Sequence, residues 1–504
     1  MVYLVGAGPG DPGLMTVRAL ELLKRADVVL YDSLIDPVVL CETHSDCMLV
    51  DVGKRAGRHT KSQDETSELL VDYGLRGLEV VRLKGGDPLL FGRGGEEAER
   101  LRDAGVPFEI VPGVSALTAA TAYAGIPVTH RDSASSLGVA TGHGARGKNE
   151  DPVRWRNLAS AVDTIVVFMG IGGIERITAE LLAGGRTPDT PAAVIQNGTL
   201  PNQLTVTGPL ADIAGRVKET GVEPPALLVV GKTAALSETL GWFRKGPLGG
   251  LHIGITRQLR QSASFADRLR QLGARPVLMP VIETVDITDT KDVADVINNI
   301  ESFDSVVFSS TNGVESFLRA LKRYKRDARS LAGTKLACIG PVTAQALESH
   351  GILADLVAER YIAEGLAEML AGHMTVGGSR FLLVRSNLGR DTLKSTLESA
   401  GGIVRESLFY ITKHAEIQPN TREMILGGAI DMVTFTSSST VDNFFGQIRQ
   451  EELPANIVLA SIGPQTSDAI RRYGCEPSVE AREYTTAGLA EVIYETYGSC
   501  DTGD

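Results

Sequence analysis

A chain of 504 residues has room for about three or four domains at roughly 150 residues each, and 43% hydrophobic with 22% charged residues makes it ordinary globular material. The net charge of −12 argues against nucleic acid or an anionic membrane as partner, and 5% aromatics against a base-stacking single-strand binder. Five cysteines (Cys41, Cys47, Cys338, Cys475, Cys500), odd in number and without CxxC spacing, predict a reduced, metal-free protein. The opening MVYLVGAGPGDPG has neither the basic region nor the cleavage site of a secretory signal, no apolar run reaches membrane-spanning length, and a cytoplasmic location is expected.

In chain order, Val2–Val5 reads as a buried strand, Gly6–Gly13 as a loop, Leu14–Ala26 as an amphipathic helix and Val28–Tyr31 as a second strand. Short apolar runs recur at Val80–Leu83, Ile110–Val111 and Ile165–Phe168. Strands alternating with helical stretches predict an α/β architecture, which the 55 glycines suit. The Gly- and Pro-bearing segment Ser237–Gly250 closes the first half.

The second half repeats itself. SVVFSSTNGVESFL (Ser305–Leu318) matches DMVTFTSSSTVDNFF (Asp431–Phe445), and KLACIGPVTAQAL (Lys335–Leu347) matches IVLASIGPQTSDAI (Ile457–Ile470). IGITRQ, with Arg257, likewise matches FLLVRS, with Arg385. Two copies predict two related α/β lobes rather than a solenoid, with a ligand cleft expected between them.

Gly8-Pro9-Gly10-Asp11-Pro12-Gly13 satisfies GxGxxG between a strand and a helix, and Asp32 stands near the spacing of a ribose-binding acid. Read literally, this is a dinucleotide fingerprint. Yet Pro9 and Pro12 remove two N–H donors, and Asp11 puts a carboxylate where phosphate oxygens belong. A cationic or neutral ligand such as S-adenosylmethionine suits the loop better; NAD and a plain structural turn remain the alternatives. A second loop, Gly85-Gly86-Asp87-Pro88 followed by Phe91-Gly92-Arg93-Gly94-Gly95, repeats the combination of glycines and an aspartate. Basic residues gather at Lys54, Arg55, Arg58, His59 and Lys61, with Arg93 and the pair His130-Arg131 elsewhere. They are either a solvated face or a local anion site, arginine being suited to carboxylates.

These motifs together resemble the tetrapyrrole methylase family, most closely its uroporphyrinogen-III C-methyltransferases. The resemblance rests on VGAGPGDPGLMT (Val5–Thr16), VVLYD (Val28–Asp32), VGKRAGRH (Val52–His59), VRLKGGDPLLFGRGGEE (Val81–Glu97), VPGVSA (Val111–Ala116), AGIPVTHRD (Ala124–Asp132), TGH (Thr141–His143), FMG (Phe168–Gly170) and QNGT (Gln196–Thr199). It implies two subdomains, about 1–130 and 131–236, with S-adenosylmethionine bound between them, S-adenosylhomocysteine as product, and a homodimer formed through this half. Carried over residue by residue, the cofactor contacts fall on Pro9, Gly85, Gly86, Asp87, Leu90, Ser115, Ala116, Met169 and Gly198. The implied proton acceptor is Asp32 and the donor Lys54, while Arg93, His130 and Arg131 are candidate substrate-binding residues. Leu90 and Phe168 depart slightly from the family pattern without removing a charge.

The second half resembles the uroporphyrinogen-III synthase family through FSSTNGV (Phe308–Val314), IGPVTA (Ile339–Ala344), VRSNLGRDTL (Val384–Leu393), ESLFYIT (Glu406–Thr412), FTSSSTV (Phe435–Val441) and IGPQTSDA (Ile462–Ala469). The resemblance implies two flavodoxin-like lobes, 250–284 plus 414–504 and 285–413, after a linker at 237–249. The family's implicated tyrosine maps onto Tyr410, and aligning the repeats sets Ile282 in the equivalent place. Ser309, Ser310, Thr311, Asn312, Thr436, Ser437 and Ser438 are candidates for holding substrate carboxylates, with no metal. The expected whole is a bifunctional enzyme that closes hydroxymethylbilane to uroporphyrinogen III and methylates it twice to precorrin-2, for sirohaem or cobalamin. The runner-up keeps the methyltransferase and makes the second half a non-catalytic tetrapyrrole-binding or regulatory module; an NAD oxidoreductase comes third.

Overall fold

The computed structural model describes residues 1–44, 46–53, 62–142, 153–243, 246–358, 363–387 and 392–498. In the first sheet, β1 (Val2–Gly6), β2 (Val28–Tyr31), β3 (Met48–Asp51), β4 (Val80–Lys84) and β5 (Phe108–Val111) take the order β3-β2-β4-β1-β5. All neighbours are parallel, so every strand delivers its carboxyl end to one edge. β1 and β4 are buried at every position, as expected of strands covered on both faces. The helix predicted over Leu14–Ala26 begins later. Asp11 caps a short 3-10 turn at Pro12–Leu14, and Thr16 then caps the helix Val17–Arg25 by accepting from the Ala19 N–H at 3.2 Å.

In the second sheet, β6 (Leu137–Thr141), β7 (Thr164–Phe168), β8 (Pro191–Gln196), β9 (Leu204–Pro209) and β10 (Ala226–Val230) take the order β6-β7-β10-β8-β9. Only β6 and β7 pair in parallel. The helix Ala116–Tyr123 lies before the expected subdomain boundary at 130, yet Ala120, Ala124 and Ile126 pack with Val166, Ile195 and Leu227 of this sheet. Its small apolar face suits a flat sheet surface better than a loop-rich edge.

The remaining strands are β11 (His252–Ile255), β12 (Arg275–Leu278), β13 (Ile282–Asp286), β14 (Ser305–Phe308), β15 (Lys335–Cys338), β16 (Leu356–Val357), β17 (Arg380–Ser386), β18 (Ile403–His414), β19 (Met432–Phe435), β20 (Val458–Ser461) and β21 (Val479–Glu480). They form two sheets, β12-β11-β19-β20-β21 and β13-β18-β17-β14-β15-β16. The first is parallel throughout; the second is parallel except where β13 and β18 run antiparallel. The repeat is therefore two lobes, with β11 and β19 of one corresponding to β17 and β14 of the other.

Packing divides the chain into two compact units, Met1–Met279 with Gln418–Asp504, and Pro280–Ile417. The second lobe thus starts before 285 and ends after 413. The reason is the antiparallel pairing of Ile282 with His414, which draws both crossing segments into its sheet. Within the first unit the expected linker is a packed element. Trp242 and Phe243 lie 4.9 and 4.8 Å from the Tyr123 ring, and the Trp242 indole N–H donates to the Ala122 carbonyl. Nearby, Val38 joins a core with Leu248, Phe265 and Leu269, and Asp36 pairs with Arg270 at 2.8 Å. Among the described residues no helix is long and apolar enough to cross a membrane.

At the carboxyl edge of the first sheet three glycines pack backbone against backbone. A Cβ on Gly113 would overlap the Gly86 carbonyl oxygen and stand 2.7 Å from the Gly6 Cα. Gly113→Ala is therefore expected to lose about 1–3 kcal/mol through overpacking. Gly95→Ala, where nothing lies within 4 Å of the new Cβ, should gain up to about 1 kcal/mol of helix propensity. Thermal denaturation of the two variants against the parent chain measures both.

Candidate functional site

Asp32 stands just beyond β2, where its N–H donates to the Leu83 carbonyl of β4. Its Oδ1 accepts from Arg82 Nη2 at 2.5 Å; among the described residues its Oδ2 accepts no hydrogen bond. Arg82 donates through Nε to Glu97 Oε1 at 3.1 Å, and Lys84 Nζ lies 3.1 Å from both Glu97 oxygens. Gln63 adds a third donor to Glu97 at 2.9 Å. Side-chain exposure is 4% for Arg82, 3% for Lys84, 0% for Glu97 and 27% for Asp32, so the chain of charges runs from the interior to the rim at Asp32. Two buried cations share one buried anion, and the Asp32 carboxylate supplies the missing negative charge. Burial pulls the Arg82 guanidinium down, but Glu97 and Asp32 outweigh it and leave Arg82 above the usual arginine range. Lys84 falls below the lysine value, through burial first and the Arg82 charge second. An acid so placed is oriented at one oxygen and open at the other.

Arg82, Lys84 and Glu97 were absent from the sequence-derived site, although a signal existed. Arg82 and Lys84 share one face of a strand that otherwise reads Val80, Val81, Leu83, and two charges on an apolar buried strand demand a partner.

The glycine loops lie beside this acid. Gly8 and Gly86 exchange backbone hydrogen bonds, 3.2 Å from the Gly8 N–H and 2.7 Å from the Gly86 N–H, with φ of +83° and +68°. Asp87 uses its carboxylate internally: Oδ1 accepts from Leu89 N and Leu90 N at 2.8 and 3.2 Å, and Oδ2 from Gly113 N at 3.1 Å. It ties the loop after β4 to the loop after β5. Asp11 is committed as well, accepting from Gly13 N at 2.8 Å and from the Tyr123 hydroxyl at 2.7 Å; burial and this carboxylate push the Tyr123 pKa up to about 12. The first helix start is thus displaced to Thr16 and already capped. A pyrophosphate would find no free helix N-terminus after this GxGxxG, which removes the physical basis of the dinucleotide reading.

The second sheet supplies the opposite wall. Asp11 N donates to Thr199 Oγ1 at 3.0 Å, so the Pro9 loop meets the segment 197–200. Gly198 approaches the helix Ala116–Tyr123 so closely that a Cβ would overlap that of Ala120; Ser115 caps that helix through the Leu117 N–H at 3.1 Å. Phe91 of the β4 loop packs on Phe168, ring centroids 5.2 Å apart. Phe91, Arg93, Met169, Asn197 and Thr199 all have positive φ, between 50° and 74°. Strained backbone of this kind persists where surrounding structure enforces it, commonly at ligand sites. Leu34, Leu89, Phe91 and Met169 remain exposed, an apolar rim above the glycines.

The structure thus brings the segments bearing Pro9, Gly85–Leu90, Ser115–Ala116, Met169 and Gly198 into contact with one another beyond the carboxyl edge of the first sheet. Arg93 pairs with Glu96 at 3.0 Å through Nε. His130 accepts at Nδ1 from the Asp132 N–H at 3.3 Å, and Arg131 is exposed. Lys54, with Arg55, Arg58, His59 and Lys61, lies outside the described residues.

In the second compact unit, Ser309 to Asn312 follow β14. Ser310 caps the helix Thr311–Arg323 by accepting from Gly313 N at 3.1 Å, and its Oγ lies 2.7 Å from the Tyr410 hydroxyl. Asn312 Nδ2 donates to Thr284 Oγ1 at 3.4 Å. Tyr410 is 6% exposed and belongs to a core with Phe308, Phe317 and Phe409. It sits inside β18, opposite Asp286, and β18 runs on past it to His414. In the lobe of the first unit, Ser437 caps the helix Ser438–Phe445 and Ser438 Oγ donates to the Gln465 carbonyl at 3.1 Å. Thr436 precedes this cap. Both serine clusters lie at the carboxyl ends of parallel strands, each within its own lobe.

Residues 1–214 match the family of tetrapyrrole (corrin/porphyrin) methylases, and residues 263–491 match uroporphyrinogen-III synthase HemD. The porphyrin biosynthesis protein HemD of Ruminiclostridium josui is 36% identical over 502 residues, 99% of this chain and 98% of its own length. The uroporphyrinogen-III C-methyltransferase of Bacillus subtilis (strain 168) is 40% identical over 353 residues, 70% of this chain and 72% of its own. Among solved structures, the uroporphyrin-III C-methyltransferase of Thermus thermophilus complexed with S-adenyl homocysteine is 42% identical, covering 46% of this chain and 92% of that one, with a TM-score of 0.40. The chain belongs to the family in which a tetrapyrrole methylase is followed, in one polypeptide, by a uroporphyrinogen-III synthase of the HemD type.

Proposed function

We propose that this is a bifunctional enzyme of tetrapyrrole synthesis. Its second half closes hydroxymethylbilane to uroporphyrinogen III with loss of water. Its first half methylates that product twice, yielding precorrin-2, the precursor of sirohaem and cobalamin. The observation that carries the methyltransferase reading is Asp32, held at one oxygen by buried Arg82 and open at the other beside two glycine loops. S-adenosylmethionine fits those loops: Gly86 at φ +68° leaves open space where a Cβ would stand, Gly85 and Gly86 expose backbone, and both loop aspartates are already bonded, so nothing there requires a phosphate. Pro9, Leu90, Ser115, Ala116, Met169 and Gly198 would complete the cradle. The bound cofactor supplies an electrophilic methyl group on sulfonium. The chain's residues do the rest. The strained walls align the acceptor carbon and exclude water, the apolar rim receives the macrocycle, and Asp32 Oδ2 takes a proton or steadies positive charge developing on the ring. His130 and Arg131 suit the substrate's carboxylates, and Lys54 is assigned the proton donor.

In the second half the reading rests on Tyr410, whose hydroxyl bonded to Ser310 can assist departure of the terminal hydroxyl as water. The backbone and hydroxyls of Ser309, Thr311, Asn312, Thr436, Ser437 and Ser438 offer donors to carboxylates. The homodimer implied by the resemblance belongs to the same proposal and is read by light scattering. So does a cytoplasmic setting, with which the free thiols of Cys41, Cys47, Cys338 and Cys475 agree.

Four experiments test these assignments. Purified protein mixed with hydroxymethylbilane and S-adenosylmethionine alone should give precorrin-2 by mass. Accumulation of only the symmetric isomer, uroporphyrinogen I, would overturn the synthase assignment in favour of a binding module. Asp32→Asn should keep cofactor affinity by calorimetry while losing most methylation, because Asn still accepts from Arg82 but cannot carry the charge. Glu97→Gln, by contrast, leaves two buried cations without their anion and should cost about 3–5 kcal/mol of stability. Tyr410→Phe should fold, lose roughly 0.5–1.5 kcal/mol with its hydrogen bond, and shift the isomer ratio toward uroporphyrinogen I; Ile282→Leu should leave the ratio unchanged. Chromatography of the two isomers decides it.

A further inference from the structure

The two lobes of the second half present the same crevice with different electrostatics. In the lobe carrying β11 and β19, the chain leaves β11 for β12 on one side and β19 for β20 on the other. The topological switch point, where parallel sheets bind ligands, lies between β11 and β19. Arg257 follows β11 at that point, two residues past the paired Ile255 and Thr434. Thr256 holds the turn by donating to the Thr434 carbonyl at 2.8 Å. In the other lobe the equivalent point lies between β17 and β14, and Arg385 stands in the equivalent place on β17.

The two arginines differ in their partners. Arg385 Nη1 lies 3.3 Å from Glu406 Oε1, and Lys394 Nζ sits 3.1 Å from Glu406 Oε2, so its charge is matched within the lobe. Arg257 donates from Nε to the neutral amide of Gln261 at 3.2 Å. Among the described residues no carboxylate pairs with it, and burial alone acts on it, drawing it below the usual arginine range. A half-buried guanidinium without an anion is costly, and its planar fork is made for a carboxylate. Thr436 and the capping serine Ser437 stand on the adjacent strand end.

We propose that Arg257 is the anchor for an acetate or propionate carboxylate of the linear tetrapyrrole, at the switch point between β11 and β19. The assignment rests on the synthase reading above. It gives the lobes distinct tasks: one grips a substrate anion through Arg257, while the other, internally neutralised, carries Tyr410.

Full-length protein provides the test, with hydroxymethylbilane as variable substrate and no S-adenosylmethionine. A charge-assisted hydrogen bond is worth about 1.5–3 kcal/mol, so Arg257→Gln should raise KM about 10-fold or more, with kcat nearly unchanged. Arg257→Lys should recover part of the loss. The melting temperature should not fall, because no internal ion pair is broken and an unmatched half-buried charge is removed, and the methylation of added uroporphyrinogen III should not move, because the other half is untouched. An unchanged KM in a parent chain that does cyclise overturns the anchor and leaves the synthase reading standing; so does a fall in kcat alone. If the parent chain does not cyclise, the synthase reading fails, and the anchor is then judged by protection. Slower spontaneous ring closure with the parent chain but not with Arg257→Gln keeps a carboxylate site, and equal closure overturns it.

Discussion

The ion cluster of Glu97 with Arg82 and Lys84 sets the geometry of the first half. Glu97 lies on the helix that follows β4, and its carboxylate must return over two cations on that strand. The connection from Gly85 to Arg93 is thereby pinned at both ends. Its left-handed residues Phe91 and Arg93 are held by this clamp, aided by Asp87 within the loop. The unbalanced positive charge of the cluster is met at the rim by Asp32, so the group assigned to chemistry also completes the electrostatics of the core.

Around this acid the site is made chiefly of main chain. Gly6, Gly86 and Gly113 let three strand ends meet without side chains between them, and the aspartates of the two loops face inward to organise backbone rather than outward to a ligand. This explains how a motif with the spelling of a dinucleotide fingerprint serves another purpose. The spacing produces the tight turn, whereas the prolines and the Thr16 cap withhold the N–H groups that phosphate requires. The apolar rim of Leu34, Leu89, Phe91 and Met169 then offers an exposed apolar surface beside the glycines.

The second half shows one scaffold used twice with different charges. Corresponding strands carry corresponding arginines, yet Glu406 neutralises one and nothing described neutralises the other. Tyr410 and Ile282 repeat the pattern in a different chemistry. A duplicated sheet supplies two equivalent crevices, and asymmetry in a few side chains divides the work between them.

Much of this was legible in the sequence because it is local. Alternating apolar runs and glycine loops specify α/β sheets through periodicity alone, and the internal repeat by itself declares two lobes. The motifs around Gly8, Gly85 and Ser115 mark the site because tight turns and helix caps are short-range events. What tertiary structure decided is long-range. The antiparallel pairing of β13 with β18 moved the lobe boundaries, since the chain's crossing segments follow their hydrogen-bond partners. Trp242, Phe243 and Leu248 turned a Gly- and Pro-bearing linker into packed structure. The charges of Arg82 and Lys84 could be seen to need a partner, but only the return of a helix over β4 names Glu97. Whether a given arginine is matched or waiting likewise depends on residues far away in the chain, and spacing carries no record of them.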